Sequence, residues 1–351
     1  MNALIAISLV WASISVIASE SYPQVLEKCE PGMKQSLDTF FTNVDKEALV
    51  FEPLEGGFTR AKLYAFFLDE KKYVLRFMAS GQPQKFWENE IKAQETAGLL
   101  GIAPACLFTP EGFEFMIMPF VEGHLLNQED IQEEKITTLG KHLQALHSFK
   151  GDYPTKHTLS QRIQIQYQKA VASGIAYPTG FEKALEALAK EPSYPLVPSH
   201  GDLHRGNILV EGDHISFIDW TNASFDDPFT DLSYLSLLNN MTPLQEQTFL
   251  TAYFGRAPTE KDGERLKAGK AKVCLVIATI WFRFGESLED KKIPLEQRVA
   301  LLDEQLNSPL LKPASAYLRA GLVVNIHSEN KQEVRLYALS FYKAYLESQS
   351  L

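Results

Sequence analysis

The chain has 351 residues, enough for two domains or one bilobal unit at about 150 residues each. Apolar residues make up 45% of it, which supplies a sizeable core and excludes a disordered polymer. Lysine and arginine number 34 against 44 acids, a net charge of −10 that argues against a nucleic-acid partner and admits a cationic one.

At the start of the chain, residues 3–18 are apolar apart from three serines. That length suits the core of an export signal and falls short of the roughly 20 residues a spanning helix needs. Val16-Ile17-Ala18 offers small residues for cleavage, but no lysine or arginine precedes the run. Two expectations compete. Residues 1–19 are a signal-like segment or weak anchor, with membrane contact only if residues 3–18 are retained, or the true start is Met33. The three cysteines, Cys29, Cys106 and Cys274, are scattered and odd in number, which opposes a disulfide framework. Together these features lean toward a cytoplasmic protein.

Residues 49–51, 62–68 and 73–78 are rich in aromatic and branched side chains and are predicted strands, with a polar turn over 69–72. Past Gly81 and Pro83 the period changes: Phe86, Ile91, Ala93, Ala97 and Leu100 predict an amphipathic helix ending at Gly101. Strand-like runs over 105–108 and 113–118 follow, turning at Pro110-Glu111-Gly112, and residues 119–123 are a connector. Beyond it Ile136, Leu139, Leu143 and Leu146 have helical spacing, as do runs over 181–190, 244–254, 265–288 and 332–348. Residues 208–210 and 215–218 form a hairpin around Glu211-Gly212-Asp213. The expected fold is α+β and bilobal. A small antiparallel sheet with one helix spans 33–122, a larger and mainly helical lobe spans 123–351, and a site lies in the cleft between them.

The strongest constellation is His200-Gly201-Asp202-Leu203-His204-Arg205-Gly206-Asn207, followed by Ile218-Asp219-Trp220. Phosphoryl transfer needs a carboxylate that orients the attacking hydroxyl and takes its proton, together with oxygen ligands for magnesium. Asp202 and Asn207 share one loop between two glycines, and the hairpin that starts after Asn207 returns Asp219 toward it. One segment thus supplies a base, Asp202, and two metal ligands, Asn207 and Asp219. Any one of them alone would pass for a turn cap. Their joint spacing argues for chemistry. His200 and His204 at i, i+4 raise zinc, but Pro198 and the two glycines oppose the helix that would align them.

This run, with Ile208-Leu209 behind it, resembles the aminoglycoside phosphotransferase and choline kinase superfamily, relatives of protein kinases; the likeness can be followed from Leu54 to Leu232. It implies a protein-kinase-like fold with ATP and Mg2+ as cofactors. Glu55-Gly56-Gly57-Phe58-Thr59 is similar to the family's nucleotide loop, in which Gly56 and Gly57 would admit phosphate to the backbone and Thr59 would add a donor. A plain hairpin explains the paired glycines equally well. Arg76 takes the place of the family's phosphate-binding cation, and Glu90 matches the helix acid that pairs with it, with Glu88 as a competitor. Residues 119–123 resemble the hinge that meets adenine. Asp227-Pro228-Phe229-Thr230-Asp231-Leu232 is similar to the family's Asp-Pro-x-x-Asp-Leu, with Asp231 expected to cap a helix starting at Leu232 while bonding the catalytic loop. Asn222 stands where choline-kinase-like and thiamine-kinase-like members commonly have an aromatic residue, a departure that argues against a close subfamily assignment. The absence of Asp-Phe-Gly and Ala-Pro-Glu sets the chain apart from protein kinases.

Trp281, Phe284 and Glu286 form an aromatic and acidic cluster able to hold a quaternary ammonium group. The same spacing also serves packing of the lobe. The expected activity is a magnesium-ATP-dependent phosphotransfer to a hydroxyl of a small, polar, cationic metabolite. Choline or ethanolamine comes first, thiamine or an aminoglycoside next. The alternative is a catalytically silent, kinase-like binding or scaffold protein, compatible with export.

Overall fold

The computed structural model describes residues 19–29, 31–54, 62–79, 81–112, 114–189, 194–319 and 330–349. The signal-like segment over 3–18 therefore lies outside the described residues. Among those described, no helix is long and apolar enough to cross a membrane.

The N-lobe opens with β1 (Glu20–Ser21), α1 (Tyr22–Glu27) and α2 (Pro31–Phe40), none of which the periodicity announced. A meander follows: β2 (Val50–Leu54), β3 (Leu63–Leu68) and β4 (Lys71–Phe77), then helix α3 (Gln84–Leu99) and β5 (Phe115–Pro119). The five strands form one antiparallel sheet in sequence order. Asp69 and Glu70 both adopt positive φ in the turn between β3 and β4, the conformation a two-residue hairpin requires. Residues 105–108, expected as a strand, form an isolated antiparallel bridge instead, Phe108 to Ile117, with the Leu107 N–H also donating to the Ile117 carbonyl at 2.8 Å.

One face of the sheet buries an aromatic cluster in which Phe41 packs at 5.5 Å on Tyr22 and 5.6 Å on Phe66. Tyr22 and Val25 are 2% and 1% exposed there, so the segment before Met33 is part of this core. The other face takes Trp87 and Ile91 of α3 against Met116. The opposite side of α3 carries Ala93 and Ala97, and with Ile102 just beyond it these pack into the large core that also contains Leu203, Phe217 and Trp220.

The connection to the C-lobe is β6 (His124–Leu125), which pairs with the hairpin β8 (Ile208–Glu211) and β9 (His214–Phe217). Gly123 makes that approach possible: a Cβ there would lie 2.2 Å from the Val210 carbonyl oxygen. Before the hairpin come helices α4 (Glu133–Ser148), α5 (Leu159–Ala172) and α6 (Phe181–Ala189), then the short strand β7 (Val197–Ser199). After it come β10 (Ser224–Asp226), which pairs with β7, and helices α7 (Pro228–Leu238), α8 (Pro243–Phe254), α9 (Glu260–Gly285), α10 (Leu295–Leu306), α11 (Ala314–Arg319) and α12 (Lys331–Gln349). The fold is α+β and bilobal, as the sequence led us to expect.

His142 of α4 packs edge-on to Phe217, and burial lowers its pKa from 6.5 to about 4. The unfolded chain therefore binds more protons between those values, and stability falls as pH drops from 6.5 toward 4. We expect His142→Leu to shrink that acid loss by roughly 2 kcal/mol. Denaturant melts at pH 7 and pH 4.5 measure it, and an unchanged pH dependence would acquit the imidazole.

Candidate active site

Two antiparallel pairings gather the catalytic segment. Strand β7 delivers the chain to His200, and its pairing with β10 sets Ser199 opposite Ser224. The β8–β9 hairpin closes the other side, where the Ile218 N–H donates to the Asn207 carbonyl at 2.9 Å. Asp202, Asn207 and Asp219 are thereby brought to one place.

Asp231 anchors the loop from below. It is fully buried, its Oδ1 accepting the Gly201 N–H and its Oδ2 the His200 N–H, each at 2.8 Å. His147 Nε2 lies 3.1 Å from the same carboxylate. Burial works to raise this carboxyl, but the His147 hydrogen bond and charge outweigh it and hold the group below the usual range. The helix cap differs from expectation: α7 starts at Pro228, its N-cap is Asp227, and Asp231 sits inside the first turn. Proline suits the first helical position, which moves the start forward.

Gly201 adopts φ +75°, and a Cβ there would come within 2.7 Å of the Asn222 carbonyl oxygen. Asp202 follows it with Oδ2 accepting from Asn222 Nδ2 at 3.0 Å. The Asn207 amide donates to the Asp202 main-chain oxygen at 2.8 Å, which turns its own carbonyl oxygen away from that bond. Asp219 has φ 62° and ψ 70°, a left-handed backbone uncommon outside glycine and typical of constrained functional positions. Burial pushes its carboxyl up, but the Arg76 guanidinium and the Thr221 hydroxyl outweigh that and keep it ionised.

Arg76 reaches down from β4. Its Nη2 lies 3.5 Å from Asp219 Oδ1 and is ion-paired with Glu90 of α3. Glu90 is 1% exposed and makes the ion pair, whereas Glu88 is half-buried, so the partner of Arg76 is Glu90. Gln82 donates to the remaining Glu90 oxygen at 3.3 Å. Gly56, Gly57 and Thr59 lie outside the described residues.

The two histidines are separately employed. His200 donates from Nε2 to the Ile218 carbonyl and packs on Trp220, while His204 Nδ1 accepts the Gly206 N–H. Among the described residues no group of three or more His, Cys, Asp or Glu forms a metal cage. Asn207 and Asp219 are hard oxygen donors, one of them an ionised carboxylate. Such a partial set fits magnesium, which is held by one or two carboxylates and completed by phosphate oxygens.

Trp281, Phe284 and Glu286 are engaged elsewhere in the C-lobe. Trp281 is 7% exposed against Tyr337, Phe284 faces the Arg283 guanidinium, and Glu286 Oε1 accepts from Arg298 and from the Ala176 N–H. Among the described residues none of their hydrogen bonds or ion pairs reaches the catalytic loop. They serve packing and a helix-end lock.

Two polar residues at the site, Lys156 and Arg162, carried no sequence signal of function. Lys156 donates to the Thr221 carbonyl at 2.6 Å and lies 5.5 Å from the Phe86 ring centroid across the cleft. Burial lowers its pKa to about 8, although Glu90 and Asp219 pull it upward. Arg162 of α5 donates to Asn222 and to the Gly201 carbonyl. The capping box of Thr158 and Gln161, which starts α5, was the available clue to where Arg162 would sit.

Residues 50–268 match the model of the phosphotransferase enzyme family. The chain belongs to that family. It is an ATP-dependent small-molecule kinase, and the matched span includes every element of the site just described. Among curated relatives, a LicA homologue of Mycoplasma capricolum is 26% identical over 186 residues, 52% of this chain and 74% of that protein. Two solved structures share the fold at 20% identity each. A choline/ethanolamine kinase family protein from Mesorhizobium loti has a TM-score of 0.57 and covers 88% of this chain and 99% of its own. The choline kinase LicA of Streptococcus pneumoniae has a TM-score of 0.55, covering 77% and 98%.

Proposed function

We propose that this kinase transfers the γ-phosphoryl group of ATP, with magnesium, to a hydroxyl of a small polar amino alcohol of the choline or ethanolamine class. The observation that carries this is the convergence of a loop carboxylate, two oxygen ligands and an ion-paired arginine across one cleft. Asp202 would orient the acceptor hydroxyl and take its proton as the oxygen–phosphorus bond forms. Arg76, steadied by Glu90, would grip phosphate oxygens while remaining charged. Asn207 and Asp219 would hold a magnesium ion, which when bound neutralises phosphate charge. Gly56 and Gly57 would offer backbone N–H groups to phosphate and Thr59 a hydroxyl, as the family resemblance implies. A silent scaffold is the less favoured alternative, since the base, both metal ligands and the cation are all present.

The choice of acceptor draws on the net charge of −10, which favours approach of a cation, and on the choline and ethanolamine kinases among the proteins of similar fold. Radiolabelled ATP offered with choline, ethanolamine, thiamine and an aminoglycoside tests it. Choline or ethanolamine should exceed the others in kcat/KM by about tenfold or more. Preference for an anionic alcohol would overturn the amino-alcohol reading and point to Lys156 and Arg162 as acceptor contacts.

A further inference from the structure

The Asn222 amide touches the carboxylate proposed to act as base. Nδ2 donates to Asp202 Oδ2 at 3.0 Å, while Oδ1 accepts from Arg162 Nη1 at 2.7 Å. Both contacts have one workable orientation. Were the amide turned over, its oxygen would face the Asp202 carboxylate and its NH2 would face a guanidinium that only donates. Arg162 thus fixes which end of Asn222 meets Asp202.

The same arginine reaches the main chain next to the base, Nη2 lying 3.2 Å from the Gly201 carbonyl. Asp231 holds the opposite edge of that segment through the His200 and Gly201 N–H groups. Close approach depends on Gly201, where a Cβ would meet Arg162 Nη2 at 2.9 Å as well as the Asn222 backbone. Backbone and side chain of Asp202 are therefore positioned by one connected set of donors. Of its two carboxylate oxygens, one is committed to Asn222.

We propose that Asn222 is a positioning residue for phosphotransfer: locked by Arg162, it holds one oxygen of Asp202 and so presents the other to the acceptor hydroxyl. This rests on the kinase reading above. General-base transfer depends on hydrogen-bond geometry at the accepting oxygen, and small misplacements of a reacting group are costly.

The test is steady-state kinetics of the full chain with the best acceptor from the panel. Asn222→Ala is expected to lower kcat by about 10- to 100-fold with KM for ATP unchanged. Asn222→Asp should do at least as much harm, because two carboxylates would face each other. Asn222→Gln, which keeps an amide donor, should recover part of the loss. Arg162→Ala should lower kcat in the wild-type background and cost less when Asn222 is already alanine, because its effect runs in part through Asn222 and in part through the Gly201 carbonyl. A purely structural residue would instead lower the melting temperature and leave the kcat of folded protein intact. Wild-type kcat in both the alanine and aspartate variants, or fully additive losses with Arg162→Ala, overturns the positioning role. A wild-type protein that transfers phosphate to no acceptor overturns the kinase reading itself, and this inference with it.

Discussion

Asp202→Ala is expected to lower kcat by about 10²- to 10⁴-fold while affinity for magnesium and a nonhydrolysable ATP analogue stays unchanged. The separation of the two effects follows from which atoms do what. Asn207 is oriented by the main-chain oxygen of residue 202, which alanine retains, and Asp219 is held by Arg76 and Thr221. Removing the carboxylate therefore strips the base and leaves the metal ligands and phosphate cation in place. Turnover is read with radiolabelled ATP and nucleotide affinity by calorimetry. Undiminished turnover would sink the assignment of the base; lost nucleotide affinity would move Asp202 into the nucleotide site.

A second large effect is expected at the N-terminus. A chain beginning at Met33 should lose about 5 kcal/mol or more of N-lobe stability relative to one beginning at Ser19, since deleting one large buried side chain alone costs about 3–5 kcal/mol. Such a deletion removes Tyr22, which packs on Phe41 and Phe51, and Val25, and it uncovers strand β2 by taking away β1. Cleavage after Ala18 would spare all of them. Thermal melts of the two chains, each with and without nucleotide, measure the difference. Equal melting temperatures would mean that the helix α2 and the sheet close the core without help.

The strands and helix that frame the cleft were legible because their periods are clean. The aromatic-rich runs over 62–68 and 73–78 each name a strand, the apolar stripe of 86–100 names the helix, and Asp69-Glu70 punctuates the hairpin. The grouping of Asp202, Asn207 and Asp219 was legible because all three fall in one loop and the hairpin that follows it. Lys156 and Arg162 were not, because each works through a partner distant in sequence, Lys156 through Thr221 and Arg162 through Gly201 and Asn222; Asn222 stood out in the sequence, but its bond to Asp202 did not. Pairing of β7 with β10 joins runs of three residues, too short for any period to show. The cluster of Trp281, Phe284 and Glu286 illustrates the converse. Aromatic spacing on a helix is the same whether the rings face a ligand or a neighbouring helix; here Trp281 meets Tyr337 and Glu286 meets Arg298.

Helix α3 belongs to both lobes. Trp87 and Ile91 face the sheet, while Ala93, Ala97 and Ile102 are sealed into the C-lobe, where the Phe217 N–H donates to the Ile102 carbonyl at 2.8 Å. A chimera made by exchanging N-lobes between family members at Gly123 would therefore cut through a packed interface rather than around one. The transplantable module is the five-stranded sheet with its N-terminal helices. The helix that carries Glu90 has to travel with the recipient's own alanine face, or the exchanged enzyme inherits a foreign seam beside its phosphate site.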